Sequence, residues 1–126
     1  MKTKEGRRPP PPALSGNGYY KYNPSGTTFD YAVAYVTALD YIYVATANLA
    51  SPLQILTNRN TLMRTRDAPG ISVGWANRIG IAFTDSDDPS RSVVFNSSFD
   101  NGVTWRSLTR FSIPAVGGVA VSYDWW

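Results

Sequence analysis

The most informative part of the sequence is Ser98-Phe99-Asp100-Asn101-Gly102-Val103-Thr104-Trp105. An aspartate in such a stretch can accept hydrogen bonds from backbone N–H groups of its own turn. Gly102 can supply a positive φ without steric strain. The hydroxyls of Ser98 and Thr104 can bond across the mouth of the turn, and Trp105 adds a large ring that packs beside it. The stretch therefore predicts a tight β-hairpin turn whose residues stabilise the fold.

Strand-forming segments lie on both sides of this turn. They are rich in β-branched and aromatic residues and are bounded by turn residues, which is typical of strands. The predicted strands are Tyr31–Thr37, Tyr41–Thr46, Leu53–Thr57, Ile71–Trp75, Arg78–Thr84, Ser92–Ser97, Thr104–Phe111 and a further run, Ala115–Tyr123. A polar stretch, Asn58–Asp67, interrupts them. No segment keeps a helical apolar period over the ~11 residues that a helix requires. The sequence therefore predicts an all-β fold.

A weak internal repeat groups the strands into units. Val36–Ala45 lines up with Val73–Ala82, and Pro69 and Pro114 each open a new unit. Four-stranded units that recur every ~40 to 45 residues are typical of β-propeller blades. In the first unit Asn58–Leu62 takes the place of the turn, but it lacks the aspartate, the glycine and the tryptophan.

The turn stretch resembles the Asp-box, or BNR, repeat of sialidases and related β-propellers, Ser/Thr-x-Asp-x-Gly-x-Thr-Trp/Phe. It matches all five defined positions, which are Ser98, Asp100, Gly102, Thr104 and Trp105. The resemblance implies a sialidase-like propeller in which the box joins the third and fourth strands of a blade. It also implies that these five residues are structural, because the boxes of sialidases lie on the rim, away from the catalytic centre. Members of this family are often secreted or found at the cell surface.

The catalytic residues of a sialidase are missing from this chain. A sialidase needs three arginines that clamp the substrate carboxylate, a tyrosine activated by a glutamate, and an acidic proton donor. The one glutamate is Glu5, which lies in the N-terminal tail. The Arg-Ile-Pro motif of sialidases is absent, since Ser112-Ile113-Pro114 has no arginine. The chain has other arginines that were considered for the carboxylate clamp, which are Arg59, Arg64, Arg66 and Arg78. We expect them to be solvated charges at strand edges and not a triad.

The composition excludes other kinds of site. The chain has no histidine and no cysteine, which rules out Ser-His and Cys-His nucleophile pairs, disulfides and His- or Cys-ligated zinc. No catalytic residue is predicted, and we expect the isolated chain not to be a sialidase.

Two groups of residues are candidate ligand sites. Asp85, Asp87 and Asp88 form an acidic loop that could hold Ca²⁺, because calcium takes oxygen ligands in flexible arrangements, although the spacing does not match an EF-hand and such loops are more often simply solvated. The tryptophans Trp75, Trp125 and Trp126 could stack on the faces of sugars. Trp75 falls in a predicted strand, where a tryptophan is more often part of the core. No other cofactor is predicted.

The first 26 residues read as a flexible basic tail rich in proline and glycine, and residues 27–126 as the blade region. The formal net charge of +3 comes from this tail, whose basic residues are Lys2, Lys4, Arg7 and Arg8. The charge therefore gives no reason to expect a nucleic-acid partner. No apolar run reaches the ~20 residues of a membrane span, and prolines stand where a signal peptide would be apolar. The compartment stays open.

The length leaves the architecture open among three alternatives. About 100 residues allow a little over two blades, whereas closed propellers have about four to eight. The chain is then a fragment of a longer propeller, a subunit that completes the propeller as a homo-oligomer, or a β-sandwich that carries an Asp box. The sequence predicts a non-catalytic glycan-binding or scaffold module. The alternative is a fragment of a sialidase-like glycoside hydrolase whose catalytic residues lie outside this chain.

Overall fold

The computed structural model describes residues 9–17, 29–48, 52–106 and 108–123, which form eight β-strands and no α-helix. The predicted all-β class is confirmed. The strands are β1 Ala13–Gly16, β2 Tyr31–Val36, β3 Tyr41–Asn48, β4 Gln54–Arg64, β5 Gly70–Val73, β6 Ile79–Thr84, β7 Ser92–Ser98 and β8 Thr109–Pro114.

The strands form two four-stranded antiparallel sheets in which each strand pairs with the next along the chain. We call β1-β2-β3-β4 the N-terminal sheet and β5-β6-β7-β8 the C-terminal sheet. A tight turn joins β2 to β3, in which the Asp40 amide donates to the Thr37 carbonyl at 2.9 Å. Asp40 adopts a φ of 70°, a left-handed conformation that aspartate tolerates better than most residues.

The core lies between the two sheets. On β2 every second residue is buried, so that Ala32, Ala34 and Val36 face the C-terminal sheet. This period of two is what a strand with one covered face produces. The residues of the C-terminal sheet in the same core cluster are Ile71, Val73, Ile79, Ile81, Phe83 and Val94.

The two sheets correspond strand by strand, with the same register. Ala13 of β1 lies opposite Ala34 of β2, just as Gly70 of β5 lies opposite Ala82 of β6. By the same comparison Val33 corresponds to Ile81, but Val33 lies on the face of its sheet that points away from the core, whereas Ile81 is inside it. The sheets therefore stack front to back, with equivalent faces pointing the same way.

The sheets approach one another most closely at β1, β2 and β5, and no other pair of described strands from different sheets comes comparably near. Small residues at this place, such as Ala13 and Ala32, let the backbones approach. The Val73 amide donates to the Ser15 hydroxyl at 3.1 Å across the contact. From here the two sheets diverge toward β4 and β8.

Three predicted strand boundaries are wrong. β4 runs through the stretch predicted to be polar and irregular, as far as Arg64, because its side chains bond to β3: the Thr61 hydroxyl donates to the Ile42 carbonyl at 2.7 Å. β5 ends before Trp75, which starts a 3₁₀ turn. β8 begins at Thr109, so that Thr104 and Trp105 belong to the preceding connection.

The predicted repeat is also out of register. Val36–Ala45 covers the hairpin between β2 and β3, whereas Val73–Ala82 covers the hairpin between β5 and β6, and these hairpins do not correspond in the two sheets. Asn58–Leu62 lies inside β4, where Leu62 has a φ of 64° beside a shift in the β3–β4 register, so it is an irregular strand segment and not a counterpart of the turn.

Two segments differ from the predicted outline of the chain. Ala13–Gly16 falls within the predicted tail but pairs with β2 as a strand, whereas residues 1–8 and 18–28 lie outside the described part. Ala115–Tyr123, predicted to be strand-like, has no strand assignment. It lies along β5 instead, where the Val119 amide donates to the Ala68 carbonyl at 3.2 Å and the Tyr123 amide to the Ser72 hydroxyl at 3.0 Å.

Candidate functional site: the Ser98–Trp105 turn and the aromatic end of the C-terminal sheet

The Ser98–Trp105 turn is built around the Asp100 carboxylate. Its Oδ1 accepts hydrogen bonds from the Thr104 amide at 2.9 Å and the Ser98 hydroxyl at 2.8 Å, and its Oδ2 accepts one from the Thr104 hydroxyl at 2.6 Å. The Ser98 oxygen also accepts the Gly102 amide at 2.8 Å. The two hydroxyls thus bind Asp100 and not each other, which corrects the expectation of a bond across the mouth of the turn.

The backbone of the turn needs residues that tolerate positive φ. Asn101 and Gly102 have φ angles of 60° and 86°, which asparagine and glycine adopt more readily than other residues. This conformation directs the amides of the turn toward Ser98 and Asp100. The sequence pattern therefore specifies the geometry locally.

Trp105 carries the turn onto the rest of the molecule. Its half-buried ring packs against the core cluster, and Gly102 lies between this ring and Val44 of the N-terminal sheet: a Cβ on Gly102 would be 3.8 Å from Trp105 Cζ2 and 3.9 Å from Val44 Cγ1. A turn of one sheet thus contacts the other sheet.

With three hydrogen bonds to its oxygens, Asp100 is occupied in holding the turn and is not placed as an acid or base.

The hydrogen bonds of the turn lower the pKa of Asp100. Burial opposes ionisation, but the hydroxyl and amide of Thr104 and the hydroxyl of Ser98 stabilise the carboxylate and bring the pKa below the ordinary 3.8. Hydrogen bonds from Ser92 and Ser90, helped by Arg110, also lower the pKa of Asp88.

We expect the stability of the protein to fall in acid partly through Asp100. A carboxyl group whose pKa is depressed by folding stabilises the folded state above its unfolded pKa, and this contribution is lost as the pH falls through the folded pKa. Urea midpoints measured from about pH 6 to about pH 2.5 should therefore drop below pH ~4, and Asp100→Asn should show a smaller drop. An equal drop in Asp100→Asn would exclude Asp100 as a source of this dependence.

Trp75 lies at the same end of the C-terminal sheet as the turn. β5 and β7 run in the same direction in this antiparallel order, so the turns that follow them lie at the same end of the sheet. Trp75 begins the 3₁₀ turn Trp75–Asn77, in which Ala76 and Asn77 have φ angles of 59° and 61°. The buried Asn77 side chain accepts a hydrogen bond from the Asn17 amide nitrogen at 3.0 Å. Because it lies beyond the strand, the Trp75 side chain is 48% exposed and not part of the core.

A second exposed ring, Phe99, lies at this end between two arginines. The Arg78 guanidinium lies 4.3 Å from the centre of the Phe99 ring, and that of Arg106 lies 6.0 Å from it. Cations at these distances are attracted to the face of an aromatic ring. We call Trp75, Arg78, Phe99 and Arg106 the aromatic end. It combines apolar ring faces with guanidinium donors, and Trp75 is the one member predicted from the sequence as a ligand residue.

The aspartates of the acidic loop at the opposite end, the weak candidates for Ca²⁺, pair with arginines. Arg110 binds Asp85 at 2.8 Å and Asp88 at 3.1 Å, and Arg64 binds Asp87 at 2.9 Å. The three carboxylates are thus turned toward arginines instead of toward a common centre. In the described part of the chain no cluster of three or more acidic side chains is arranged to hold a metal ion.

The arginines at this end form ion pairs. Arg64 and Arg66 lie 3.8 and 3.7 Å from the buried Asp40 carboxylate, and Arg91 binds Asp67. Arg59 is an exposed residue of β4. No described trio of arginines therefore points free donors at one place, as the clamp on a substrate carboxylate would require.

The remaining predicted ligand residues, Trp125 and Trp126, lie outside the described residues. The structure also has an apolar groove that the sequence analysis did not predict. It has a volume of about 330 Å³, lies on the face of the N-terminal sheet that points away from the core, and is lined by Leu14, Tyr31, Val33, Ala45, Ala47, Leu53 and Ile55. On β2 the buried residues alternate with a second row of apolar side chains, which are Tyr31, Val33 and Tyr35. This row, on the opposite face of the sheet, is the sequence signal that could have indicated the groove.

No family model matches the chain, and no curated protein or solved structure matches it either. Within the described residues there is no helix long and apolar enough to cross a membrane. The fold is thus a pair of stacked four-stranded antiparallel sheets.

Proposed function

We propose that the chain is a non-catalytic Asp-box β-propeller module that binds acidic glycans at its aromatic end. The observation that carries the proposal is the exposed Phe99 ring, which lies beside the guanidinium groups of Arg78 and Arg106, together with the exposed Trp75 ring at the same end of the C-terminal sheet. Aromatic rings can stack on the apolar faces of sugars, and arginine donors suit carboxylate or sulfate groups.

The propeller part of the proposal is supported by how the sheets are arranged. They share strand order and register, stack front to back, and approach at β1 and β5, the first strand of each sheet. Consecutive blades around a central axis have this relation, whereas the two sheets of a sandwich face each other along their whole width. The turn between β7 and β8 stands where an Asp box joins the third and fourth strands of a blade, with Asp100 bonded to both Ser98 and Thr104.

The non-catalytic part is supported by the state of the charged groups. The chain has one glutamate, Glu5, and no histidine. Asp85, Asp87 and Asp88 are all paired with arginines, and Asp100 holds its turn. These contacts favour a binding module over a piece of a sialidase-like hydrolase.

The test is binding of acidic and neutral oligosaccharides, measured by glycan array and then by calorimetry. We expect an acidic glycan to bind and Trp75→Ala to weaken it tenfold or more, the equivalent of about 1.4 kcal/mol. Phe111→Ala is the matched control, because Phe111 is 45% exposed but lies on β8, away from the aromatic end. The proposal fails if the wild-type chain binds none of the glycans, or if Trp75→Ala binds as tightly as Phe111→Ala.

A further inference from the structure

Three short segments of the chain share one pattern. They are Ala13-Leu14-Ser15-Gly16, Gly70-Ile71-Ser72-Val73 and Ala120-Val121-Ser122-Tyr123. Each has a small residue, an aliphatic residue, a serine and a fourth residue that varies. The first two are β1 and β5, the first strands of the two sheets. The third is the segment that lies along β5.

The contacts of the three segments repeat in the same way. The Val73 amide donates to the Ser15 hydroxyl at 3.1 Å, and the Tyr123 amide donates to the Ser72 hydroxyl at 3.0 Å. In each case the fourth residue of one segment bonds to the serine of the segment before it. Residues 120–123 therefore lie on the C-terminal sheet as β5 lies on the N-terminal sheet, in the place of the first strand of a third sheet.

The C-terminal sheet is shaped to hold this segment. A Cβ at Gly70 would come within 2.7 Å of the Val119 carbonyl oxygen, and a Cβ at Gly74 or Gly80 would come within 2.9 Å of the Tyr123 ring. The Tyr123 ring also meets Phe95 edge to face, with 6.3 Å between the ring centres. Glycine at these positions is what permits so close an approach.

The N-terminal sheet, the C-terminal sheet and residues 120–123 form a stack in this order. At each of its two ends a group lacks, within the described chain, the contact that its equivalent makes. The exposed Ser122 hydroxyl donates only a 3.5 Å bond to the carbonyl of Tyr123, whereas Ser15 and Ser72 accept an amide from the next segment. At the other end, the apolar groove of the N-terminal sheet contains Leu14 and Val33, which correspond to the buried Ile71 and Ile81. One end thus offers a first strand, and the other offers a face that is covered in the equivalent sheet.

We propose that a second copy of the chain joins these two ends by exchanging a strand. Residues 120–123 of one copy take the place of β1 beside β2 of the next, and the outer face of the C-terminal sheet covers the groove. Val121 then occupies the position of Leu14, and Ser122 accepts the Val73 amide of the next copy. The segment that leaves its place is β1. Residues 120–123 are held by the close packing that Gly70, Gly74 and Gly80 permit, whereas β1 is held by only four paired residues and its Leu14 is exposed.

The size of the assembly follows from the number of sheets. Propellers close with about four to eight blades, so the two sheets of the described residues require about two to four copies. This inference rests on the blade arrangement proposed above but not on the glycan site. A chain that associates without binding glycans would refute only the glycan site, and a monomer that binds glycans would refute only the exchange.

A pair of cysteine variants tests the exchange in the full chain, which has no cysteine of its own. In Ser122→Cys/Val73→Cys the two positions lie on opposite sides of the C-terminal sheet of one copy, so a disulfide can form only between copies. We expect oxidation to give covalent dimers and larger products that reductant reverses. The matched variant Ser15→Cys/Val73→Cys should close within one copy, stay monomeric and lose association, because the bond retains β1.

Light scattering on the wild-type chain gives a second, independent readout. We expect a discrete assembly that Val33→Asp, in the groove, converts to a folded monomer with an unchanged far-ultraviolet circular dichroism spectrum. Val116→Asp, at a side chain that is 98% exposed and outside both surfaces, should leave the assembly intact. A monomeric wild-type chain, or an assembly in which Ser122→Cys/Val73→Cys forms no bond between copies, would overturn the proposal.

Discussion

Replacing Ile81 by alanine should lower the free energy of unfolding by about 2–5 kcal/mol, the largest effect of a single side chain that we expect. Ile81 has no exposed surface and lies at the centre of β6, opposite Ile71 on one side and Asn96 on the other. Truncation removes apolar surface from the contact between the two sheets and leaves a cavity that their paired strands cannot close. Urea unfolding should show a lower midpoint with an unchanged slope.

The control for this prediction is Ile113→Ala, the same chemical change on β8 at a side chain that is 61% exposed. We expect it to change the stability by less than about 0.5 kcal/mol. Equal destabilisation by the two substitutions would mean that the interface between the sheets is not the main core of the protein. Both variants should be compared at one protein concentration, because association adds to apparent stability.

Replacing Asp100 by alanine should lower the free energy of unfolding by about 1–3 kcal/mol, the second largest effect. The substitution removes the acceptor of three hydrogen bonds, from the Ser98 hydroxyl and from the amide and hydroxyl of Thr104. Hydrogen bonds to charged groups contribute about 1.5–3 kcal/mol each when buried, and the exposure of Asp100 reduces this. Loss of the turn also frees Trp105, which packs on the core. Thermal unfolding followed by tryptophan fluorescence measures the change.

Two controls separate the turn from general effects of charge. Asp100→Asn keeps one acceptor oxygen and should fall between alanine and the wild type. Asp87→Ala removes another exposed carboxylate, which pairs with Arg64 at 2.9 Å, and should cost less than about 1 kcal/mol. If Asp100→Ala unfolds at the wild-type temperature, the hydrogen bonds of the turn contribute nothing to the stability of the fold.

The strands were the part of the fold most readily predicted. Tyr31–Val36 and Ile79–Thr84 are strands in the structure, near the predicted bounds, because β-branched and aromatic residues flanked by turn residues have few alternatives. β4 was missed beyond Thr57, since its polar residues become a strand only by bonding to β3. β1 was missed for a related reason: four residues within a proline- and glycine-rich stretch become a strand only when they pair with β2.

The candidate site divides in the same way. The place of the turn follows from the residues of the stretch itself, because Asp100, Ser98 and Thr104 bond within a few positions of one another. The aromatic end could not be predicted from local sequence, because Phe99 contacts Arg78 from the other side of a hairpin. Likewise, the three aspartates of the acidic loop face Arg64 and Arg110, which come from β4 and β8. A list of acidic residues says nothing about which cations surround them.

The all-β class, most of the strands and the position of the turn at Ser98–Trp105 could be predicted from residue patterns, because they depend on contacts within a few residues. Which hairpins correspond, and which face of each sheet is covered, depends on the packing of the two sheets and could not be predicted in this way. Both faces of these sheets carry apolar or small residues, so alternation alone cannot distinguish the face of Ile81 from that of Val33. The covered face depends on close approaches between segments that are distant in the sequence, such as Ser15 to Val73 and Ser72 to Tyr123. The small residues at these places have a structural role only when the sheets are stacked.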